Sequence, residues 1–323
     1  MITFPQALDI ISKGIRTIDY PSQPANLFAP IAYLLDLKGK KVRPALTLLA
    51  CNLYKEEVDE ALPMALAWEI FHNFTLMHDD VMDKADVRRG QPTVHKKWNE
   101  NTAVLSGDAM LIIAYQYLDR IPQRYLKAVS EVFSATALEI CEGQQYDMEY
   151  ENRLDVSEEE YLNMITLKTA VMLGGAMQTG AMIGGAGEKD YRLLYEFGIN
   201  LGLAFQIQDD LLDVYGDPKV FGKKIGGDIL CEKKTYLLVT ALNTDNEALK
   251  NELLTWLQVQ DKPQEKIAAV TAIYNKMAVK DTAIAKKESY YRKAIEALDA
   301  VDVPDERKAV LRELAVDLLN RTS

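Results

Sequence analysis

The chain predicts an all-α fold built as one domain. Apolar residues recur at three- and four-residue spacing through nearly every long segment, which is the period of one helix face. No alternating apolar–polar strand pattern recurs. Glycine (17) and proline (11) are sparse in 323 residues, which favours long helices over short strands joined by tight turns. No fixed-period repeat and no linker-like stretch divides the sequence, so residues 1–323 read as a single domain.

Taken in order, residues 5–18 and 27–36 carry helical periodicity, separated by Pro21-Ser22-Gln23-Pro24. A basic turn, Gly39-Lys40-Lys41-Val42-Arg43-Pro44, opens the apolar run Ala45 to Tyr54. A helix over 60–82 follows, then an irregular connection with Pro92 over 84–100, then helices over 101–120 and 123–149. Ser157 with Glu160 fits a capping box, and the helix it opens runs to about Ile183. Gly184-Gly185-Ala186-Gly187 stops it, and 189–214 is helical again. Gly216 to Lys234 breaks the pattern with four glycines, one proline and Lys219, Lys223, Lys224, Lys233 and Lys234. From Tyr236 onward the chain reads as four or five amphipathic scaffold helices without evident chemistry.

Chemistry concentrates in two places. The helix over 60–82 ends in His78-Asp79-Asp80-Val81-Met82-Asp83, followed by Arg88 and Arg89. Asp79 and Asp83, four apart, share one helix face and repel. A divalent cation between them resolves the conflict, and oxygen-only ligands point to Mg²⁺, which completes its coordination with phosphate and water. Phe205-Gln206-Ile207-Gln208-Asp209-Asp210-Leu211-Leu212-Asp213 repeats the same spacing. Two such clusters suit a metal-bridged diphosphate. The arginines suit bidentate phosphate contacts, and Lys40, Lys41 and Arg43 near a helix start form a second basic phosphate candidate. The glycine- and lysine-rich stretch 216–234 has the composition of a lid closing on phosphates. An acidic helix end, a solvated basic turn and an ordinary surface loop are the plain alternatives for these three stretches.

Other classes are disfavoured. A net charge of −11 and a pI near 5.0 argue against nucleic acid as partner. Cys51, Cys141 and Cys231 form no CxxC and read as reduced thiols of a cytoplasmic protein. No leader pattern begins the chain, and no uncharged apolar run approaches the ~20 residues that span a membrane. His72, His78 and His95 fit no zinc spacing, and no G-x-S-x-G, G-x-G-x-x-G or P-loop pattern occurs.

Together these markers resemble the trans-isoprenyl diphosphate synthases (polyprenyl synthetases) over nearly the whole chain. The resemblance rests on Gly39 to Pro44, Asp79 to Asp83 with Arg88-Arg89-Gly90, Gly143-Gln144 with Asp147, Lys168-Thr169, Gln206 with Asp209 to Asp213, and Gly222-Lys223 with Lys233. It departs at Lys38-Gly39, where two glycines are common. The resemblance implies an isoprenoid-synthase helical bundle around a deep central cavity, usually a homodimer. It implies Mg²⁺-dependent head-to-tail condensation of isopentenyl diphosphate with an allylic diphosphate (dimethylallyl, geranyl or farnesyl). By the same resemblance Asp79, Asp83 and Asp209 bind Mg²⁺ directly, with Asp80, Asp210 and Asp213 supporting them. Arg88, Lys168, Lys223 and Lys233 hold the allylic diphosphate with Asp147 nearby, and Lys40, Arg43, His72 and Arg89 hold isopentenyl diphosphate. Thr169, Gln206 and the Lys168 carbonyl face the developing carbocation.

Chain length should be set by bulk upstream of the first cluster, where Phe71, Phe74 and Thr75 stand. In the family, two large aromatics at the two nearer positions resemble farnesyl-type stops and two small residues resemble long-chain enzymes. One aromatic and one small residue, with no insertion in the aspartate motif, look most like a geranylgeranyl (C20) diphosphate synthase, with farnesyl (C15) next and longer chains third. A terpene cyclase would replace the second motif with an Asn/Ser/Glu type, and a non-catalytic partner subunit would lack some ligands; neither departure is present.

Overall fold

The computed structural model describes residues 1–216 and 225–319, and the described residues are predominantly helical. They fall into two compact units: Met1–Phe133, Gly175–Leu194 and Asp302–Val310 make one, and Ser134–Gly174, Tyr195–Val301 and Leu311–Ser323 the other.

The first unit begins with α1 (Phe4–Arg16), opened by a Thr3–Gln6 capping box, followed by α2 (Ala25–Asp36) and α3 (Val42–Asn52). Its central rod is α4 (Leu62–Met82), which packs against α1, α3 and α6 (Glu100–Leu118). From Met64 to Phe71 every residue of α4 is buried, as expected of a helix that is apolar all round. Trp68, Phe71 and Phe133 form an aromatic cluster with ring centroids 4.8 to 6.3 Å apart, and Trp68 donates its indole N–H to Thr179 at 3.0 Å. Truncating such a ring costs about 3–5 kcal/mol, so this cluster fixes where α4 runs.

Residues 84–100, expected to be irregular, hold a small hairpin and the short helix α5 (Val94–Lys97). Strands β1 (Val87–Arg88) and β2 (Gln91–Pro92) pair antiparallel, leaving Arg89-Gly90 as a two-residue loop. Both loop residues have positive φ, 53° and 76°, the requirement of a type I′ turn. Two residue pairs are too short to give an alternating pattern, so periodicity missed the hairpin.

The second unit contains most of α7 (Gln123–Tyr150), then α8 (Glu158–Ile165), a π-helical turn (Thr166–Ala170), the start of α9 (Val171–Gly184) and most of α10 (Glu188–Tyr215). The Ser157–Glu160 capping box is present. The single helix expected over 157–183 is therefore interrupted. Helices α11 (Gly227–Leu230), α12 (Tyr236–Leu242), α13 (Glu247–Leu257), α14 (Pro263–Lys276) and α15 (Val279–Asp299) follow, and then the second half of α16 (Asp305–Leu319). The core of this unit draws on Ile165, Leu203, Ile207, Leu211, Tyr236, Val239, Leu253, Val270 and Tyr274.

Among the described residues no helix is long and apolar enough to cross a membrane. Lys219, Lys223 and Lys224 of the expected lid lie outside the described residues. Lys234, from the same cationic stretch, is buried and donates to the Glu151 carbonyl at 2.8 Å, so it is an internal strut.

Candidate active site

In the first unit, the last turn of α4 carries the first aspartate cluster. Asp79 is half-buried, Asp80 buried and Asp83 exposed, and the Asp83 N–H still bonds the Asp79 carbonyl at 2.8 Å. Three acidic side chains and no basic one sit at the negative end of the helix dipole, an arrangement that a cation would relieve. Asp80 faces inward. Arg88 Nε donates to both of its carboxylate oxygens (2.9 and 2.8 Å) and Nη2 lies 2.7 Å from Oδ1. The hairpin thus presents Arg88 locked on its own aspartate.

Arg89, at the hairpin tip, turns into a buried polar seat. Its Nη1 donates to the Leu37 carbonyl (3.4 Å) and Asn73 Oδ1 (3.5 Å). A Cβ at position 39 would fall 2.8 Å from its guanidinium carbon, so Gly39 leaves the room Arg89 occupies. This accounts for a glycine at position 39. Asn73 in turn donates to Glu69 Oε1 at 3.1 Å, and burial raises the Glu69 carboxyl pKa against the pull of Arg89 and the Asn73 hydrogen bond. Glu69 and Asn73 went unassigned in the sequence. Their signal was a polar i, i+4 pair inside an otherwise apolar run.

Arg43 Nη1 lies 3.3 Å from His72 Nε2, so the imidazole accepts there as the neutral form. Burial, then the charges of Arg43, Arg89 and Arg88, pull the His72 pKa well below its ordinary value. Lys40 and Arg43 flank the start of α3 as expected, with Lys41 in left-handed geometry as its N-cap. Upstream of the cluster, Phe71 is fully buried, Phe74 half-buried, and their rings lie 5.4 Å apart; Thr75 bonds the His72 carbonyl at 2.8 Å.

In the second unit, Lys168 and Thr169 stand on the π-helical turn, where one extra residue per turn redirects side chains. Lys168 Nζ bonds Asp147 at 2.6 Å. Gly143 of α7 comes so close to this turn that a Cβ there would lie 2.2 Å from the Lys168 backbone nitrogen. The second cluster occupies the last two turns of α10, again without a basic residue in the last turn. Asp209 is half-buried. Asp210 is buried and accepts from Tyr161 Oη (2.5 Å), the Tyr236 N–H (2.7 Å) and Gln206 Nε2 (3.3 Å). Burial pushes its carboxyl up to about 7, opposed by the Tyr161 hydrogen bond. Asp213 Oδ2 accepts the Asp228 N–H at 3.0 Å, and Lys233 is exposed beyond α11. A cavity of about 40 Å³ is lined by Asp147, Tyr161, Lys168, Thr169, Gln206 and Lys233 among others.

The motifs share one division: the second aspartate, Asp80 or Asp210, holds protein groups, while the first, Asp79 or Asp209, keeps solvent-facing surface. They differ at the third, where Asp83 is exposed and Asp213 is buried on the Asp228 N–H. Among the described residues no three carboxylate, imidazole or thiolate groups gather into a closed metal site. All-oxygen donors at two helix C-termini match Mg²⁺, which needs only one or two carboxylates when phosphate completes its coordination.

The profile of the polyprenyl synthetase family matches residues 24–277. A geranylgeranyl diphosphate synthase of Methanosarcina mazei is 36% identical over 305 residues, 93% of this chain and 91% of its own. A short chain isoprenyl diphosphate synthase of Methanocaldococcus jannaschii is 40% identical over 261 residues, 80% of this chain and 79% of its own. Among solved structures, a geranylgeranyl pyrophosphate synthase superposes with a TM-score of 0.95 at 42% identity, with full coverage of both chains.

Proposed function

The chain belongs to the polyprenyl synthetase family of prenyltransferases, and from this premise we propose that it elongates an allylic diphosphate with isopentenyl diphosphate to geranylgeranyl diphosphate (C20). The observation that carries the reading is the pair of aspartate clusters at helix ends that favour cations, each with one carboxylate turned inward to hold an active-site side chain.

In this reading Arg88, Lys168 and Lys233, with Lys223, hold the allylic diphosphate. Asp80 fixes the plane of the Arg88 guanidinium, and Asp147 fixes the Lys168 ammonium. Lys40, Arg43, His72 and Arg89 hold the isopentenyl diphosphate, with neutral His72 as a hydrogen-bonding group. Magnesium on Asp79 and Asp83, and on Asp209, would supply Lewis-acid neutralisation to the leaving diphosphate. The allylic C1–O bond breaks with its electron pair leaving on diphosphate. Thr169, Gln206 and the Lys168 carbonyl direct oxygen dipoles at the cation that remains. The isopentenyl double bond then joins C1, and a proton passes from the new chain to the released diphosphate.

The full chain is proposed to act as one catalytic domain, since the family match spans residues of both compact units. A homodimer is supported by α6, which exposes Leu105 (61%) and Ile112 (59%), seven residues apart on one face. A cytoplasmic location accords with three thiols in no disulfide among the described residues.

The test is a product assay with isopentenyl diphosphate, Mg²⁺ and each allylic starter in turn. A dominant C20 alcohol after dephosphorylation is expected, and Phe74→Ala is expected to lengthen it. A C15 product in the parent places the floor nearer the aspartates. C25 or longer removes Phe74 as the stop, and no elongation from any starter rejects the function.

A further inference from the structure

The Gln206 amide is held from behind. Its Nε2 donates to Asp210 Oδ1 at 3.3 Å, while its Oε1 accepts from Thr169 Oγ1 at 3.4 Å. An amide's two ends are nearly the same shape and opposite in polarity, so something must decide which end faces the cavity. Asp210 decides it, because its Oδ1 lies where it accepts from the amide N–H₂ end and so turns the carbonyl end the other way. Asp210 is itself fixed by two donors on its other oxygen: Tyr161 Oη at 2.5 Å and the Tyr236 N–H at 2.7 Å. Tyr161 is 1% exposed, and burial with the neighbouring Asp210 holds its phenol well above the usual range, so it remains a donor.

We propose that Tyr161 is a positioning residue for catalysis: its hydroxyl anchors Asp210, and through Asp210 it sets the carbonyl end of Gln206 toward Thr169 and the cavity where the allylic cation develops. The inference rests on the condensation reading above and adds to it a residue that acts through Asp210 and Gln206. The plain alternative is that Tyr161 is a core ring, since it packs near Tyr236 with centroids 6.1 Å apart. Phenylalanine would fill that space equally well. The hydroxyl alone distinguishes the two roles, and Tyr161→Phe removes only the hydroxyl. Without it the Asp210 carboxylate loses one of two anchors on Oδ2 and can rotate, releasing the Gln206 amide to turn its N–H₂ end toward a site that must stabilise positive charge.

The experiment compares Tyr161→Phe, Gln206→Leu and the double variant, after parental C5 addition has been demonstrated in the same assay. That order separates failure of the reaction assignment from failure of this proposal. Tyr161→Phe is expected to lower kcat about tenfold, a fraction of the loss on deleting a direct dipole, with KM for both diphosphates unchanged. In the Gln206→Leu background the same substitution is expected to cost nothing further, because the relay has no end to position. A second readout does not use activity. The Gln206 side-chain amide resonances, assigned by their loss in Gln206→Leu, are expected to shift and broaden in Tyr161→Phe. Equal losses in both backgrounds, an unmoved amide signal, or a rise in KM without a change in kcat would each overturn the proposal.

Discussion

At the scale of single residues, the acidic helix ends carry two effects that one substitution separates. Asp79 sits where the α4 dipole disfavours negative charge. Asp79→Ala should leave the metal-free protein folded, while cutting turnover with Mg²⁺ by orders of magnitude. Calorimetry without metal and steady-state kinetics with it check the two halves. A residue needed only for folding would lose both together. His72 yields a prediction of different kind. Its folded-state pKa lies well below the ordinary value, so the unfolded chain takes up a proton that the native imidazole refuses. Stability is thus fully present above about pH 6.5 and lost as pH falls below it, by up to about 1.4 kcal/mol per pH unit. Urea titrations at several pH values between 7 and 5 should show this slope in the parent and its loss in His72→Gln.

At the scale of elements, the contact between α7 and the π-helical turn is the tightest constraint on a proposed phosphate ligand. A methyl at position 143 would meet the Lys168 backbone nitrogen at 2.2 Å. Gly143→Ala should destabilise the fold by about 1–3 kcal/mol through overpacking and raise KM for the allylic diphosphate as Lys168 moves off Asp147. Urea unfolding and allylic-starter KM values measure the pair; a destabilised protein with normal KM would mean that the turn yields without moving Lys168. This element also marks what sequence periodicity conveys. Helix limits at α4, α7 and α10 were legible because their apolar faces repeat over five or more turns. The π-turn was not, because one surplus residue between Ile165 and Val171 leaves both flanking patterns helical. The hairpin at 87–92 was hidden because two residue pairs give no alternating pattern, and the polar seat of Arg89 because it is assembled from Leu37, Gly39 and Asn73, residues far apart in sequence.

At the scale of the whole molecule, family membership accounts for the constellation as a set, since the matched region carries every proposed site residue from Lys40 to Lys233. Both clusters were legible in the sequence as acidic runs of one spacing at helix ends. The partners of Asp80 and Asp210 were not, because burial is invisible in a five-residue motif and only the fold shows them facing Arg88 and Tyr161. The proposed dimer is also a property of this scale. Replacing Leu105 and Ile112 together by glutamate should shift the sedimentation of the protein from dimer to monomer, leaving the α6 core residues Met110 and Ala114 untouched. An unchanged sedimentation coefficient would move the interface elsewhere.

The π-helical turn at Thr166–Ala170 finally says something about length. A helix advances about 100° per residue, so its one surplus residue acts as a phase shifter between α8 and α9. Most of the long helices could drift in composition at constant length. This segment can change neither way by a single residue: a one-residue deletion would straighten the rod yet rotate everything on one side of it by a quarter-turn or more, carrying Lys168 and Thr169 away from Asp147 and Gln206. Insertions and deletions, more than substitutions, are the changes this stretch is built to forbid.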